Sequence, residues 1–273
     1  MMSIAACVVT CARLKPTGNC KTPSMKYFLT IAASDNSGGA GIQQDLKVAE
    51  ELGYWGLSAI TGITTQNFEK LDSVYPVSPE ILSGQIEMNI LSFQINCIKI
   101  GAICSEKNII AISDILQKYK LKNIVLDPVF SPSNGKEFLQ SKSVKLFCEK
   151  LLPYVNIVTP NRIELSLLAE KEILNLEEGL EASKELNKRF NCNVYIKGGH
   201  FESNLIKEAL VTKGDIAFLE KERLNLKYSH GTGCAFSSAL SCFLGDGIEL
   251  KYACIKASEY VSRKYQKLEI DFQ

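Results

Sequence analysis

The sequence predicts an α/β fold, a three-layer α/β/α sandwich with a mainly parallel central sheet. From residue 26 onward, short apolar runs alternate with stretches of helical character, the pattern of a parallel sheet covered by helices on both faces. The 273 residues suffice for one large α/β domain, and no linker, repeat or low-complexity tract divides them. We therefore expect a single domain over residues 25–273.

The elements follow one another at short intervals along the chain. The predicted strands cover Tyr27–Ala33, Trp55–Thr61, Asn96–Ile100, Asn123–Leu126, Asn156–Val158 and Asn193–Ile196. The predicted helices cover Gly41–Leu52, the amphipathic Ser78–Phe93, Glu106–Tyr119, Ser141–Leu152, Glu177–Phe190, Thr232–Leu244 and Glu249–Gln266. A β-hairpin is expected over Glu208–Leu219, with its turn at Lys213-Gly214-Asp215.

Residues 1–24 do not conform to this pattern. Their short apolar stretch, Ile4–Val9, precedes the basic residues, which is the wrong order for a secretory signal. The segment has basic but no acidic residues, so a transit peptide is one interpretation. The other is a dispensable extension, with Met25 as the natural start.

Composition argues against several classes of function. The net charge of +1, from 31 basic and 30 acidic residues, is not that of a nucleic-acid-binding surface. No apolar run reaches the ~20 residues of a membrane span. Ten scattered cysteines without C-x-x-C spacing, and only two histidines, disfavour a dithiol redox site and a zinc site. These features indicate a reducing, cytoplasmic environment.

Unusual residues follow the carboxyl ends of six predicted strands, where open α/β sheets bind ligands. These segments are Ser34–Gly41, Thr64–Asn67, Lys99–Ala102, Asp127–Val129, Thr159–Glu164 and Lys197–His200. Six such loops at one edge of a sheet predict a built cleft.

The most informative segment is His230-Gly-Thr-Gly-Cys234, a glycine-rich turn that opens directly into a helix. Backbone N–H groups of Gly231, Thr232 and Gly233 are suited to an anion hole at the helix N-terminus. Cys234 would lie in the same field, where a thiol ionises more easily. The alternative is a buried cysteine after an ordinary helix-entry turn.

Six motifs carry a resemblance to a known family. They are Ser37-Gly-Gly-Ala-Gly-Ile-Gln-Gln-Asp-Leu-Lys47, Gln66-Asn67, Asp127-Pro128-Val129, Thr159-Pro160-Asn161 with Glu164, Lys197-Gly-Gly-His200 and His230-Gly-Thr-Gly-Cys234. Together and in this order they resemble the hydroxymethylpyrimidine/phosphomethylpyrimidine kinases of thiamine biosynthesis, members of the ribokinase-like superfamily. The resemblance covers roughly nine-tenths of the chain.

The resemblance implies a ribokinase-like kinase that uses ATP and Mg²⁺. It would phosphorylate 4-amino-5-hydroxymethyl-2-methylpyrimidine and then the monophosphate. On the substrate side, Gln66 has the donors and acceptor to recognise an exocyclic amine beside a ring nitrogen. Asp45 resembles the aspartate that hydrogen-bonds the hydroxyl. Ala40 and Gly41 would let the backbone pack closely on the ring. A turn-capping amide and a helix-surface carboxylate are the plainer interpretations of Gln66 and Asp45.

On the phosphate side, the resemblance implies that Glu164 helps to hold Mg²⁺, with Asn161 at the start of the same helix. Asn161 also suits an ordinary N-cap. Asp127 would contribute to the same site, and Lys197 would meet phosphates as a point charge. A solvated lysine before a turn is the plainer interpretation of Lys197. Cys234 occupies the place where most ribokinase-like enzymes carry an aspartate base, which makes it a candidate thiolate base.

Three departures from the family pattern concern the substrate. Ala33 stands where glycine is usual, and would tighten the pocket floor. Ala102 replaces a common methionine, which would remove bulk over the ring. Phe130, next to the substrate-side Val129, also replaces methionine.

Other functions remain open at this point. A pyridoxal, pyridoxine or pyridoxamine kinase of the same architecture would bind a ring of similar size, and Ala102 would widen the site for it. Gln66 favours the aminopyrimidine. A silent ligand-binding protein is a different class, although such a protein has no need to keep Asn161, Glu164, Lys197 and Cys234 together. Expected partners are the small-molecule substrate and ATP, without nucleic acid or membrane, with a possible homodimer.

Overall fold

The computed structural model of the chain describes residues 25–131, 137–198, 205–222 and 230–271. Within them, nine strands form one sheet in the order β3-β2-β1-β4-β5-β6-β7-β8-β9. The strands are β1 Lys26–Ser34, β2 Tyr54–Gln66, β3 Leu71–Pro76, β4 Ile95–Ile100, β5 Ile124–Leu126, β6 Ile157–Val158, β7 Asn193–Ile196, β8 Leu205–Thr212 and β9 Asp215–Glu222. Six central strands are parallel, and β3, β8 and β9 are antiparallel.

Eight α-helices of the described residues cover the sheet. They are α1 Gly41–Glu51, α2 Pro79–Ser92, α3 Glu106–Tyr119, α4 Val144–Leu151, α5 Arg162–Leu168, α6 Leu176–Phe190, α7 Thr232–Gly245 and α8 Leu250–Asp271. Helices α2 to α6 pack in succession against one another, and α1, α7 and α8 form a second group.

Side-chain alternation along the strands separates the two layers of the core. Ile124 and Leu126 of β5 belong to the larger apolar cluster, which the α2–α6 layer covers. Val125, between them, belongs to the cluster under α7 and α8. Successive residues of a strand point to opposite faces, so the predicted three-layer sandwich with a mainly parallel sheet is confirmed.

The edge hairpin at β2 and β3 was not predicted. Strand β2 continues to Gln66 instead of ending at Thr61, and β3 returns beside it with Ile63 opposite Tyr75. The predicted loop Thr64–Asn67 is therefore largely strand. The last residues of β2 alternate between buried and exposed, and the strand continues past the end of its pairing with β1.

Helix α2 also differs from its prediction. Its described side chains bury only Leu82 and Ile86, whereas Ile81, Met88 and Leu91 are exposed. Apolar residues lie on both faces, so the helix is not amphipathic in the ordinary sense.

The order of strands reverses between β1 and β4, since β2 lies on one side of β1 and β4 on the other. At such a switch point the loops diverge and leave a crevice at the carboxyl ends of the strands. The described part of the chain contains no helix with the length and apolarity needed to cross a membrane. Residues 1–24, and Gly199 and His200 of one predicted motif, lie outside the described residues.

Candidate active site

Lys197 joins two carboxylates beyond the ends of the central strands. Its ammonium nitrogen lies 2.8 Å from Asp127 Oδ1 and 3.4 Å from Glu164 Oε2. Asp127 follows β5, Glu164 lies in α5 after β6, and Lys197 follows β7. Three adjacent parallel strands thus bring together three residues that the sequence analysis placed on the phosphate side.

Asp127 is held in its ionised form by neighbours from several elements. Ser237 of α7 donates a 3.1 Å hydrogen bond to Oδ2, and Thr159 donates a longer one of 3.4 Å to Oδ1. Burial alone would raise the pKa of Asp127, but the charges of Lys197 and Lys99 hold it below its ordinary value. A fixed negative charge therefore lies beside the Lys197 ammonium.

Asn161 and Glu164 form a capping box at the start of α5. Asn161 Oδ1 accepts from the Glu164 N–H at 2.9 Å, and the Asn161 N–H donates to Glu164 Oε2 at 2.7 Å. Asn161 is therefore the N-cap. Burial, with the charge of Asp127, raises the pKa of Glu164 to about 7 against the opposing effect of Lys197.

The residues present fit a hard divalent cation. Asp127 and Glu164 offer carboxylate oxygens that share a single lysine, and a cation would favour the ionised form of Glu164. The described residues contain no group of three or more acidic, histidine or cysteine side chains suited to a metal. Mg²⁺ fits this donor set because it retains several waters and needs few protein ligands.

The N-terminus of α7 closes over the same lysine. Gly231, which has no side chain, is the N-cap, with φ of 80°. Thr232 is the first helical residue. A Cβ built on Gly233 would lie 3.5 Å from Lys197 Nζ and 3.8 Å from Asp127 Oδ2. The helix terminus therefore approaches Lys197 by its backbone, as an anion site requires.

Cys234 is half-buried, whereas the other described cysteines, all free thiols, are buried. The Gly41 N–H donates to its sulphur. The expectation that the helix terminus would lower its pKa is wrong for this structure. Burial raises the pKa of Cys234 to about 11, although Lys99 acts in the opposite direction. Desolvation outweighs the helix field here.

Asp45 does not reach the cleft, which corrects the expectation that it contacts the substrate hydroxyl. It is fully buried, and both of its oxygens bind Lys99 Nζ, at 2.9 and 2.8 Å. Thr30 and Ser238 donate further hydrogen bonds to it, at 2.6 and 2.8 Å. With four hydrogen bonds and no exposure, its carboxylate has no room for a ligand.

A small apolar cluster contains two of the residues predicted for the substrate side. Ala33, Ala102 and Cys104 are buried in it, and Val129 and Phe138 pack against them. Ala102 and Val129 thus meet as predicted substrate-side residues. Ala40 is the residue before α1, and a Cβ on Gly41 would lie 2.4 Å from the Ala33 carbonyl oxygen.

Phe130 turns away from this cluster. Its ring packs against Phe147, 4.9 Å between centroids, in the core beneath α4. The expectation that Phe130 affects the substrate is therefore not supported by its position.

Asp35 organises the loop that follows β1. Its carboxylate accepts from the N–H groups of Ser37 and Ala40, both at 2.8 Å, and lies 3.2 Å from His230 Nε2. The Gln66 side chain also hydrogen-bonds it. Burial opposes ionisation, but these hydrogen bonds hold the pKa of Asp35 well below its ordinary value. Gln66 is therefore anchored beside the loop that carries Ala40.

The sequence analysis did not single out Lys99, Asp35 or Ser237 as site residues. Lys99 had a usable signal, because a lysine inside the apolar run Ile95–Ile100 must be buried with a partner. Asp35 and Ser237 had none, since short polar residues near turns and helix starts are ordinary.

Comparison with known proteins identifies the family of this chain. The model of the phosphomethylpyrimidine kinase family matches residues 35–271. A hydroxymethylpyrimidine/phosphomethylpyrimidine kinase of Haemophilus influenzae is 36% identical over 243 residues, covering 88% of this chain and 90% of its own.

Two solved structures share the ribokinase-like fold. The phosphomethylpyrimidine kinase of Clostridium difficile is 31% identical, with a TM-score of 0.77, and the match covers 88% of this chain and 99% of that one. The pyridoxal kinase of Staphylococcus aureus in complex with AMP-PCP is 28% identical, with a TM-score of 0.80 and coverage of 88% and 87%. On these similarities the chain belongs to the phosphomethylpyrimidine kinase family.

Proposed function

We propose that the chain is an ATP-dependent kinase that phosphorylates 4-amino-5-hydroxymethyl-2-methylpyrimidine and then the monophosphate, in thiamine biosynthesis. One observation carries the proposal. The N-terminus of α7 brings Cys234 to the place where Lys197 and Asp127 pair at 2.8 Å. A proton acceptor, a cation and a helix terminus therefore meet beyond the carboxyl ends of the central strands.

In the proposed reaction, the substrate hydroxyl oxygen forms a bond to the γ-phosphorus of ATP while the bond to the ADP oxygen breaks. The hydroxyl proton passes to the sulphur of Cys234. Lys197 and the N–H groups of Gly231, Thr232 and Gly233 stabilise the charge on the transferred phosphoryl group. Phosphoryl transfer depends on positioning and charge stabilisation of this kind.

The raised pKa of Cys234 sets the pH dependence of this step. With a pKa of about 11, the sulphur is a neutral thiol in the ligand-free protein at neutral pH. The base is the thiolate, so the rate should rise as pH increases toward that value.

Glu164 and Asp127 would hold Mg²⁺, with Asn161 fixing the backbone of the same turn. When bound, the cation neutralises phosphate charge. Release of the Glu164 proton accompanies its binding, because the carboxylate form holds the metal.

Gln66, Ala40, Gly41, Ala102 and Val129 are the proposed substrate side. Gln66 would recognise the amine and the adjacent ring nitrogen of the pyrimidine. The apolar cluster with Ala102 and Val129 would receive the ring. Asp45 is not among them, because it is fully buried.

Pyridoxal is the second candidate substrate. Ala102 leaves a small side chain at the apolar cluster, and structures of pyridoxal kinases resemble this chain with TM-scores of 0.79 to 0.81. A pyridine ring with a hydroxymethyl group offers the same reacting oxygen.

We further propose a homodimer through the β2–β3 edge and α2. Ile63 and Tyr75 pair across the edge hairpin, and both are exposed. Met88 and Leu91 are exposed on α2. Light scattering should give twice the chain mass, and the double variant Met88→Glu/Leu91→Glu should give the monomer mass.

The remaining proposals concern domain and location. Residues 25–273 are proposed as a single kinase domain, with residues 1–24 as an extension. A cytoplasmic location is supported by the seven described cysteines, which are all free thiols.

The decisive experiment measures ATP consumption and product phosphate by the full chain with Mg²⁺. Hydroxymethylpyrimidine, its monophosphate and pyridoxal are assayed in parallel. We expect turnover of both pyrimidines and little turnover of pyridoxal. A preference for pyridoxal would show that pyridoxal is the substrate instead of the pyrimidine. Absence of turnover with all three compounds would contradict the kinase proposal.

Variants at position 234 test the base. Cys234→Ala should reduce kcat by about 10²-fold or more, the usual contribution of a general base. Cys234→Asp should retain activity and lose the rise above pH 8, because an aspartate is ionised throughout that range. An unchanged pH profile in Cys234→Asp would show that Cys234 is not the proton acceptor.

A further inference from the structure

Lys99 is a buried cation directly beneath the cleft. Its side chain is fully buried in β4, and its nitrogen binds both oxygens of Asp45, at 2.9 and 2.8 Å. A Cβ on Gly101 would lie 2.7 Å from this nitrogen, so the ammonium packs directly against Gly101. An ion pair without solvent is costly unless its hydrogen bonds are complete.

Asp45 is tied to the helix that carries Cys234. Ser238 donates to Asp45 Oδ1 at 2.8 Å, and the Gly41 N–H donates to the sulphur of Cys234. Gly41 and Asp45 lie four residues apart in α1, and Cys234 and Ser238 lie four residues apart in α7. Two successive turns of α1 therefore contact two successive turns of α7. The first contact is made at the sulphur of Cys234, and the second is made at the Lys99–Asp45 ion pair.

The charged groups that act on Cys234 come from every element packed around it. Lys99 of β4 favours the thiolate, whereas Asp45 of α1 and Asp127 after β5 oppose it. Lys197 after β7 and Tyr265 of α8 also interact with the sulphur electrostatically. Lys99 is the strongest favourable influence among them.

We propose that Lys99 and Asp45 are positioning residues that act on the reaction through Cys234. Asp45 holds the ammonium of Lys99 in place, and that positive charge stabilises the thiolate, the form of Cys234 that accepts the proton of the substrate. The proposal rests on the proposed function in assigning Cys234 as the base. It also accounts for the complete burial of Asp45.

The test measures the alkylation rate of Cys234 by iodoacetamide between pH 7 and 10.5 in the full chain. Peptide mass spectrometry distinguishes this thiol from the other cysteines. Lys99→Met should slow alkylation at pH 9 by about tenfold, which corresponds to a pKa rise of one unit. Because this variant leaves Asp45 without its partner, the neutral pair Lys99→Met/Asp45→Asn is measured beside it. The neutral pair should also be slower than wild type, since Lys99 outweighs Asp45.

Lys26→Met is the matched control, because Lys26 also pairs with an aspartate, Asp246, at 2.8 Å. It lies at the amino end of β1 and should leave alkylation unchanged. Wild-type alkylation rates in the neutral pair would overturn the proposal.

A second readout compares the effects of the variants on kcat and on KM. Lys99→Met/Asp45→Asn should lower kcat with little change in KM, whereas a direct substrate contact by Asp45 would raise KM. A protein without kinase activity would contradict the proposed function, and the alkylation rates would still test the effect of Lys99.

Discussion

The N-cap of α7 and the loop after β1 meet through their main chains, because a Cβ on Gly231 would lie 1.9 Å from the carbonyl oxygen of Gly39. The close approach places the helix terminus, and with it the proposed phosphate site, directly against the loop of the substrate side. Two loops from distant parts of the sequence thus form one wall of the cleft.

Gly231→Ala should abolish most activity and destabilise the protein. The backbone at this residue has φ of 80°, and the added methyl group would collide with Gly39. Gly247→Ala is the matched control, because Gly247 has φ of 77° and no atom within 4 Å of a new Cβ. The control should cost only the 1–2 kcal/mol of the left-handed conformation. Urea unfolding and kcat measure both effects, and equal losses in the two variants would contradict the contact.

Gly39→Ala should raise KM for the substrate by roughly tenfold, about 1.4 kcal/mol. The new Cβ would lie 2.5 Å from His230 Cδ2 and 2.6 Å from Phe68 Cε1, so both side chains must move. Moving His230 breaks its 3.2 Å contact with Asp35, the residue that anchors Gln66.

Gly179→Ala in α6 is the control for that substitution, since its new Cβ would make ordinary contacts of 3.6 Å with Ile196 Cδ1 and Leu165 Cδ2. It should leave KM unchanged and raise the melting temperature, because alanine favours a helix. A KM for Gly39→Ala equal to that of the wild type would show that the loop tolerates the displacement.

Lys197→Met should reduce kcat by about 10²-fold or more, the usual loss when one group that stabilises transition-state charge is removed. It also leaves Asp127 and Glu164 without their shared cation. Lys184→Met, on the surface of α6 beside Glu181, is the control and should retain full activity. Steady-state rates at saturating ATP measure kcat for both variants, and an unchanged kcat in Lys197→Met would contradict its role.

Activity should fall as pH decreases below about 7, because Glu164 is then protonated and a cation binds the ionised form. Glu164→Gln should weaken Mg²⁺ dependence and lack this acidic limb. Glutamine at the same position preserves the capping box, so α5 should remain folded in the variant.

The same shift has a consequence for stability. A carboxyl whose pKa is raised on folding stabilises the protein below its unfolded value, here 4.5, and loses this contribution as pH rises through about 7. Without Mg²⁺, the wild type should therefore lose melting temperature relative to Glu164→Gln between pH 5 and 8. Parallel melting curves would refute the assignment.

Much of the fold was predictable because local patterns and burial agree. The apolar strands and the hairpin turn at Gly214 are marked in the sequence, and the structure confirms both, with longer hairpin strands. Strand β3, Leu71–Pro76, escaped prediction because it is a half-exposed edge strand whose pairing comes from β2. Edge strands depend on a neighbour more than on their own sequence.

The sequence predicted which residues meet at the site better than it predicted their burial and their pKa values. The loops of Asp127, Glu164 and Lys197 could be placed at one edge because parallel strands share a direction. The burial of Asp45 and the raised pKa of Cys234 could not be predicted, since both depend on how closely α1 packs against α7. Desolvation depends on how the folded interior packs, so it cannot be read from a sequence motif.

The place of α7 near the end of the chain bears on how the protein is made. Asp127 and Lys197 are synthesised before the helix that brings Cys234 and Ser237 to them. A nascent or truncated chain that stops short of α7 has the cation and the carboxylates but neither the helix terminus nor the thiol. Under the proposed mechanism, catalysis therefore requires synthesis through α7, and turnover reports whether this late helix is intact.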